Sequence, residues 1–141
     1  MADSPRTAGI QCVIVTPETT ILDVKARSVV LPLEDGQRGV GRGHAPFIGR
    51  LGAGAVRITT VDGREAVHSV FVEKGFVEVS HDVVTVITQR ALPAEKLDLG
   101  TARQDLAAIS SQAARGDEAI DAKLHAQQAA REIVRIAERA R

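Results

Sequence analysis

The side chains with chemical potential are few and scattered. Four histidines, His44, His68, His81 and His125, could ligate a metal or carry protons, but none is spaced as H-x-x-x-H, so no pair shares a helical face as a metal site would need. The single cysteine, Cys12, lies in an apolar run and has no partner; neither a disulfide nor a thiolate cluster can form, and it reads as a small buried hydrophobe. No local signature of a nucleophile with its base is present, and Glu73, Glu78 and Asp82 read as the wet face of a hairpin. Residues 35–47 are the densest stretch, with four glycines, Pro46, Arg38, Arg42 and His44. The spacing Gly39-x-Gly41-x-Gly43 suggests a phosphate cradle, yet it lacks the GK[ST] ending and no helical pattern follows. What remains is a tight turn presenting polar groups, either plain turn chemistry or a docking surface. Near the end of the chain, Arg131, Arg135 and Arg139 recur every four residues and form one basic stripe. Acids at Asp117, Glu118 and Asp121 with arginines at the far end also suit a helix dipole.

The elements that must position these groups divide the chain in two. With 141 residues there is room for one domain, or a small domain with an appendage. Residues 1–92 are rich in Val, Ile and Thr, hold all three Phe, and are broken every eight to twelve residues by Gly, Pro or Asp-Gly. That rhythm predicts an antiparallel β-sandwich. Strands are expected over 11–15, 21–33 with a kink near Ala26-Arg27, 47–51, 55–61, 65–70, 71–79 and 83–88. Pro32 marks an edge or an end of pairing. Asp35-Gly36 and Asp62-Gly63 are hairpin signals of the type with φ > 0 at both central positions, and Ser80-His81-Asp82 is a three-residue loop. Residues 93–141 lose every Phe and, after Pro93, every Pro, and turn to Ala, Gln, Arg and Glu, which predicts helix. Pro93 starts the first helix, with Leu99, Ala102, Leu106, Ile109 and Ala113 on one face. Gly116-Asp117 supplies a stop and an N-cap, and Ala119, Ala122, Ala126, Ala130, Ile133, Ala137 and Ala140 line the second. A link this short makes the helices an antiparallel hairpin. Its seam is mostly alanine, and a methyl buries far less than a Leu or Ile, so a few kcal/mol hold it closed.

Several function classes drop out. Lys+Arg 18 against Asp+Glu 18, with no Trp or Tyr, removes both the basic footprint and the stacking platforms of a nucleic-acid binder. The opening Met1-Ala2-Asp3-Ser4-Pro5-Arg6 does not read as an export signal. No apolar run approaches the ~20 residues of a membrane span, so membrane association is expected only through a partner.

Four motifs in order carry a resemblance: Val15-Thr16-Pro17-Glu18 after the first strand; Gly39-Val40 followed by Gly43-His44-Ala45-Pro46; Gly54-Ala55-Val56-Arg57-Ile58; and Gly75-Phe76-Val77-Glu78-Val79 before Val84-Thr85-Val86. Over residues 10–90 the sequence resembles the epsilon subunit of F-type ATP synthases, and the tail is similar to that family's helical pair in type and length. The resemblance implies a non-catalytic rotor and regulatory subunit of the central stalk, peripheral on the cytoplasmic face of the inner or plasma membrane and coupling ion transport to ATP synthesis. Its implied partners are the γ subunit, the c-subunit ring, and the catalytic β and α subunits when the helices extend. It puts Gln37, Arg38, Arg42 and His44 where the family contacts the c ring, although Gln37-Arg38 and Gly41-Arg42 depart from the usual residues there. Extended helices block ATP hydrolysis in that family, and Arg131, Arg135 and Arg139 are the groups to meet an acidic segment of a catalytic β subunit. Some members bind ATP through Ile/Leu-Asp-x-x-Arg-Ala. Leu97, Asp98 and Ala102 match that motif here, but Thr101 stands in place of the arginine, so no cofactor is expected and ATP binding should be weak or absent. A reading from another class is a free-standing β-sandwich adaptor with a helical oligomerising tail.

Overall fold

The computed structural model describes residues 9–61 and 67–140. Seven strands come first: β1 (Ile10–Val15), β2 (Thr20–Leu33), β3 (Gly36–Gly41), β4 (Phe47–Arg50), β5 (Gly54–Thr60), β6 (Val67–Ser80) and β7 (Val83–Pro93). One 3₁₀ turn (Ala94–Lys96) then leads to α1 (Leu99–Ser111) and α2 (Asp117–Arg139).

Strands β2, β6 and β7 are 11 to 14 residues long because each bends from one layer of a sandwich into the other. One layer is β3-β2-β5-β6-β7 and the other is β4-β6-β7-β1-β2. β2 turns at a register shift between Ala26 and Ser28, where the sequence suggests a kink. β6 turns at Lys74 and Gly75, both with positive φ. A Cβ on Gly75 would overlap the carbonyl oxygen of Ile87, so the close approach of β7 requires glycine. Across that corner the buried Thr88 hydroxyl donates to the Glu73 carbonyl at 2.7 Å, satisfying a backbone group that the bend frees. β1 closes the ring, antiparallel to β2 and parallel to β7, the one parallel pair among the described residues. Among the described residues the edge strands are β3 and β4, and the end of β4 is bordered by the Leu33–Leu51 bridge, where the Glu34 N–H donates to the Arg50 carbonyl at 3.0 Å.

The core follows the two-residue period of the strands. Ile10, Cys12 and Ile14 of β1 point inward and meet Val29, Leu31, Val56, Ile58, Val84 and Val86. A separate apolar cluster joins the helices to the sandwich: Phe71, buried on the outer side of β6, packs with Ala129 and Ile136 of α2.

Local details differ from the sequence expectations for definable reasons. Pro93 ends β7 and does not start α1; the N-cap is Asp98, which accepts the Thr101 N–H. Gly116, at φ 85°, is the N-cap of α2, and Asp117 is already helical. Ser80 pairs with Val83, so the β6–β7 turn is the two residues His81-Asp82, both with positive φ. The β2–β3 turn is Glu34-Asp35, closed by the pair Leu33 and Gly36, and positive φ occurs only at Gly36. The Asp62-Gly63 hairpin lies outside the described residues. Ala113, Ala119, Ala122 and Ala140 are exposed. The cross-links Arg103–Glu138 and Gln127–Ser110 set the helices side by side such that the start of α2 runs past the end of α1.

Candidate functional site

Three surfaces stand out, and two of them hold the site residues singled out by the sequence. The first is the tip built from β3, the turn after it and the start of β4. Arg38, on β3, lays its guanidinium over the Phe47 ring, 4.7 Å from the centroid, a favourable contact with the ring's negative face. The His44 ring sits 5.3 Å from Phe47, and its Nδ1 is 2.7 Å from the Ala45 carbonyl oxygen. The turn is fixed from below, because the Gly43 N–H donates to Asp82 Oδ1 at 2.7 Å and the His44 N–H reaches the Gly41 carbonyl at 3.3 Å. Gln37 lies at the opposite end of β3, facing Pro32 in the register, and Arg42 is exposed just beyond Gly41. The structure therefore joins Arg38 and His44 through Phe47, and leaves Gln37 and Arg42 roughly 17 Å apart along the strand. Phe47 and Asp82 carry this tip; sequence reasoning placed Asp82 only on the wet face of a hairpin and gave Phe47 no role. The signal for Asp82 was its place in a turn-prone triplet; for Phe47 it was scarcity of aromatics.

The second surface is the outer side of the other layer. Here Arg50, Phe76, Ile87 and Val15 stand in one row across β4, β6, β7 and β1. Ile48, on β4, points out from the next row, opposite Glu78. Ile48 is 74% exposed, Ile87 54% and Phe76 51%. Large apolar side chains this open and this close together are unusual on a lone domain and mark a contact surface. The runs Val86-Ile87 and Phe76-Val77 carried the signal: two adjacent apolar residues on a strand put one on each face.

The third is the helical arm. Asp98 Oδ2 accepts both the Thr101 N–H and the Thr101 hydroxyl at 2.8 Å, and those bonds, the backbone one first, hold its carboxyl below the ordinary carboxylate range. Leu97 packs with the joint cluster and Ala102 is buried. The four residues of the degenerate ATP motif thus build a helix start. Arg131, Arg135 and Arg139 are all exposed. Arg135 pairs with Glu132 at 2.6 Å, while Arg139 lines a cavity of about 400 Å³ with Arg57, Ser69 and Glu95 between α2 and the sandwich. Cys12 is fully buried; burial, reinforced by the charge of Asp23, pushes its thiol up to about 12. It is therefore protonated and unreactive at neutral pH.

Comparison with known proteins adds the following. Residues 9–94 match the family model described as ATP synthase, Delta/Epsilon chain, beta-sandwich domain. The chain is similar to the ATP synthase epsilon chain of Rhodopirellula baltica, 52% identical over 99 residues that cover 70% of this chain and 75% of the relative. It is also similar to that of Synechococcus, 34% identical over 128 residues covering 89% and 90%. Among solved structures, a chain of the Euglena gracilis mitochondrial ATP synthase, in an assembly with OSCP, F1 and c-ring, superposes with TM-score 0.74 at 22% identity, covering 99% of this chain and 85% of that one. A chain from the central stalk and c-ring of the Tetrahymena thermophila enzyme superposes with TM-score 0.69 at 11% identity, covering 90% and 95%. At those identities the superpositions establish the shared fold.

Proposed function

The chain belongs to the ATP synthase delta/epsilon chain family, and from that premise we propose that it serves as the non-catalytic epsilon subunit of a rotary ATP synthase, seated between the γ subunit and the ring of c subunits. The observation that carries this reading is the open apolar row Phe76–Ile87–Val15 with Ile48 beside it. A surface of that kind favours an apolar protein partner, and γ is the partner that suits it. The polar tip takes the other role: Gln37, Arg38, Arg42 and His44 offer amide, guanidinium and imidazole groups to the carbonyl-rich or acidic loops of a c ring.

The sandwich, residues 1–92, and the hairpin, residues 93–141, act in this reading as two units that part at the Phe71 joint. When the hairpin lifts away it meets the catalytic β and α subunits and stops hydrolysis, with Arg131, Arg135 and Arg139 presented to acidic groups. Arg135 must exchange its Glu132 partner to do so. ATP has little purchase on the hairpin, because the Asp98 carboxylate is already occupied by Thr101 and no guanidinium stands at that position. Among the described residues no helix is long and apolar enough to cross a membrane, so the attachment works through the complex, on the cytoplasmic face in this reading.

Co-expression with γ tests the proposal. A stable complex that Ile87→Asp disrupts is the expected result, and a chain that purifies alone beside γ would overturn it. Removing residues 93–141 from the assembled enzyme should raise ATPase activity and leave assembly intact.

A further inference from the structure

The polar tip is built from more than the turn between β3 and β4. β4 begins with Phe47 opposite Val79, and the next residue of β6, Ser80, pairs with Val83 to close the turn His81-Asp82. That turn therefore stands beside the approach to β4. It is tied on two sides: the Asp82 carbonyl accepts the Gln11 N–H of β1 at 2.9 Å, and Asp82 Oδ1 accepts the Gly43 N–H at 2.7 Å, one residue before His44. Gly43 has φ 79°, a conformation that glycine takes readily but does not hold by itself. A hydrogen bond to a carboxylate is stronger than one between neutral groups, so Asp82 supplies the hold.

His81 and Asp82 have φ of 52° and 61°, the left-handed pair a two-residue hairpin needs and that Asn-Gly or Asp-Gly usually provides. Here the first position carries an imidazole. Its Nδ1 lies 2.8 Å from Ser80 Oγ, while its Nε2 has no hydrogen-bond partner among the described residues, and the side chain is exposed.

We propose that the β6–β7 turn is the second half of the contact tip: His81 touches the same partner as Arg38 and His44, and Asp82 is the positioning residue that locks the two turns into one surface. This rests on the reading of the tip as the contact with a c ring. The joined surface offers two imidazoles and the guanidiniums of Arg38 and Arg42, while the acid at the join, Asp82, is engaged with an internal N–H. Carbonyl or carboxylate oxygens of a partner loop thus meet mainly donors.

Amide exchange of the full chain reads the lock with no partner present. Asp82→Gly removes the carboxylate and suits the left-handed position, whereas Asp82→Asn keeps an acceptor there. Protection of the Gly43 amide should fall about tenfold or more in Asp82→Gly and be retained in Asp82→Asn, with Val84 and Val86 unchanged in both. Photo-crosslinking in the assembled ATP synthase reads the contact. A probe in place of His81 should give a c-subunit product, and a probe in place of His44 should lose its c-subunit product in Asp82→Gly and regain it in Asp82→Asn. Capture of a c subunit from position 38 but not from position 81 would overturn the proposal and leave the reading of the tip standing. Capture from none of positions 38, 44 and 81 would overturn that reading, and the proposal with it. Gly43 protection or position-44 product indifferent to Asp82→Gly would remove the role given to Asp82.

Discussion

Replacing Ile136 with alanine separates the two apolar clusters of this molecule. Ile136 is buried against Phe71 and Ala129 in the joint, and no residue of that joint belongs to the buried core of the sandwich. The substitution removes three carbon groups worth about 0.8 kcal/mol each and leaves a partly collapsed cavity, so docking of the hairpin should weaken by about 2–3 kcal/mol. Because the remaining contacts of α2 at the joint are Ala129 and the half-buried Ile133, little else compensates. A loss of this size raises the undocked population roughly 30- to 150-fold. Native-state amide exchange measures it: amides of residues 126–137 should exchange faster by that factor, while those of Val72, Val84 and Val86 keep their parent rates. Val86→Ala should do the reverse, lowering protection throughout the sandwich. If Ile136→Ala accelerated exchange equally in helices and strands, the two units would be one cooperative block and the reasoning would fail. It would fail equally if α2 exchange did not change.

Other consequences follow from single groups. Asp98 has a folded-state carboxyl below its unfolded value, so its contribution to α1 is complete above the ordinary carboxylate range and is lost as pH falls through the depressed value; the protection factors of the Thr101 and Ala102 amides, taken against the intrinsic rate at each pH, should fall on acidification, and Asp98→Ala should give that low protection at neutral pH. Cys12, with its thiol pushed up to about 12, should resist a thiol reagent at pH 7 and become labelled only as denaturant unfolds the sandwich. Gly75→Ala drives a methyl into the Ile87 carbonyl at the β6 corner, and should lower stability in urea unfolding by about 3 kcal/mol or more.

The sandwich was legible because its signals are local and redundant. Alternation in β1 and the apolar runs of β6 and β7 each fix which residues turn inward, and the long β2 betrayed its bend at Ala26-Arg27. The helical pair was legible for the same reason, since composition and three-four spacing agree along most of the tail, although Ala113 falls in the link and Ala119, Ala122 and Ala140 stay exposed. What stayed hidden depends on meetings across the chain. Nothing beside Asp82 in the sequence says that its carboxylate holds the Gly43 N–H, 39 positions away. Leu97 to Ala102 reads as a damaged ligand motif until Asp98 is seen capping α1 through Thr101. Pro93 illustrates the limit of punctuation: a proline suits the first turn of a helix and the end of an edge-facing strand equally well, and the register with Val70 decided for the strand. Phe71, which the sequence places only within a strand, is core of the joint and not of the sandwich.

Site-specific photo-crosslinking in the assembled ATP synthase tests the central claim most directly, with one probe in place of Arg38 and another in place of Ile87. The expected products join position 87 to γ and position 38 to a c subunit. Capture of the catalytic head by position 38, or an Ile87 probe that reacts only with water, would contradict the assignment of the apolar face and the polar tip.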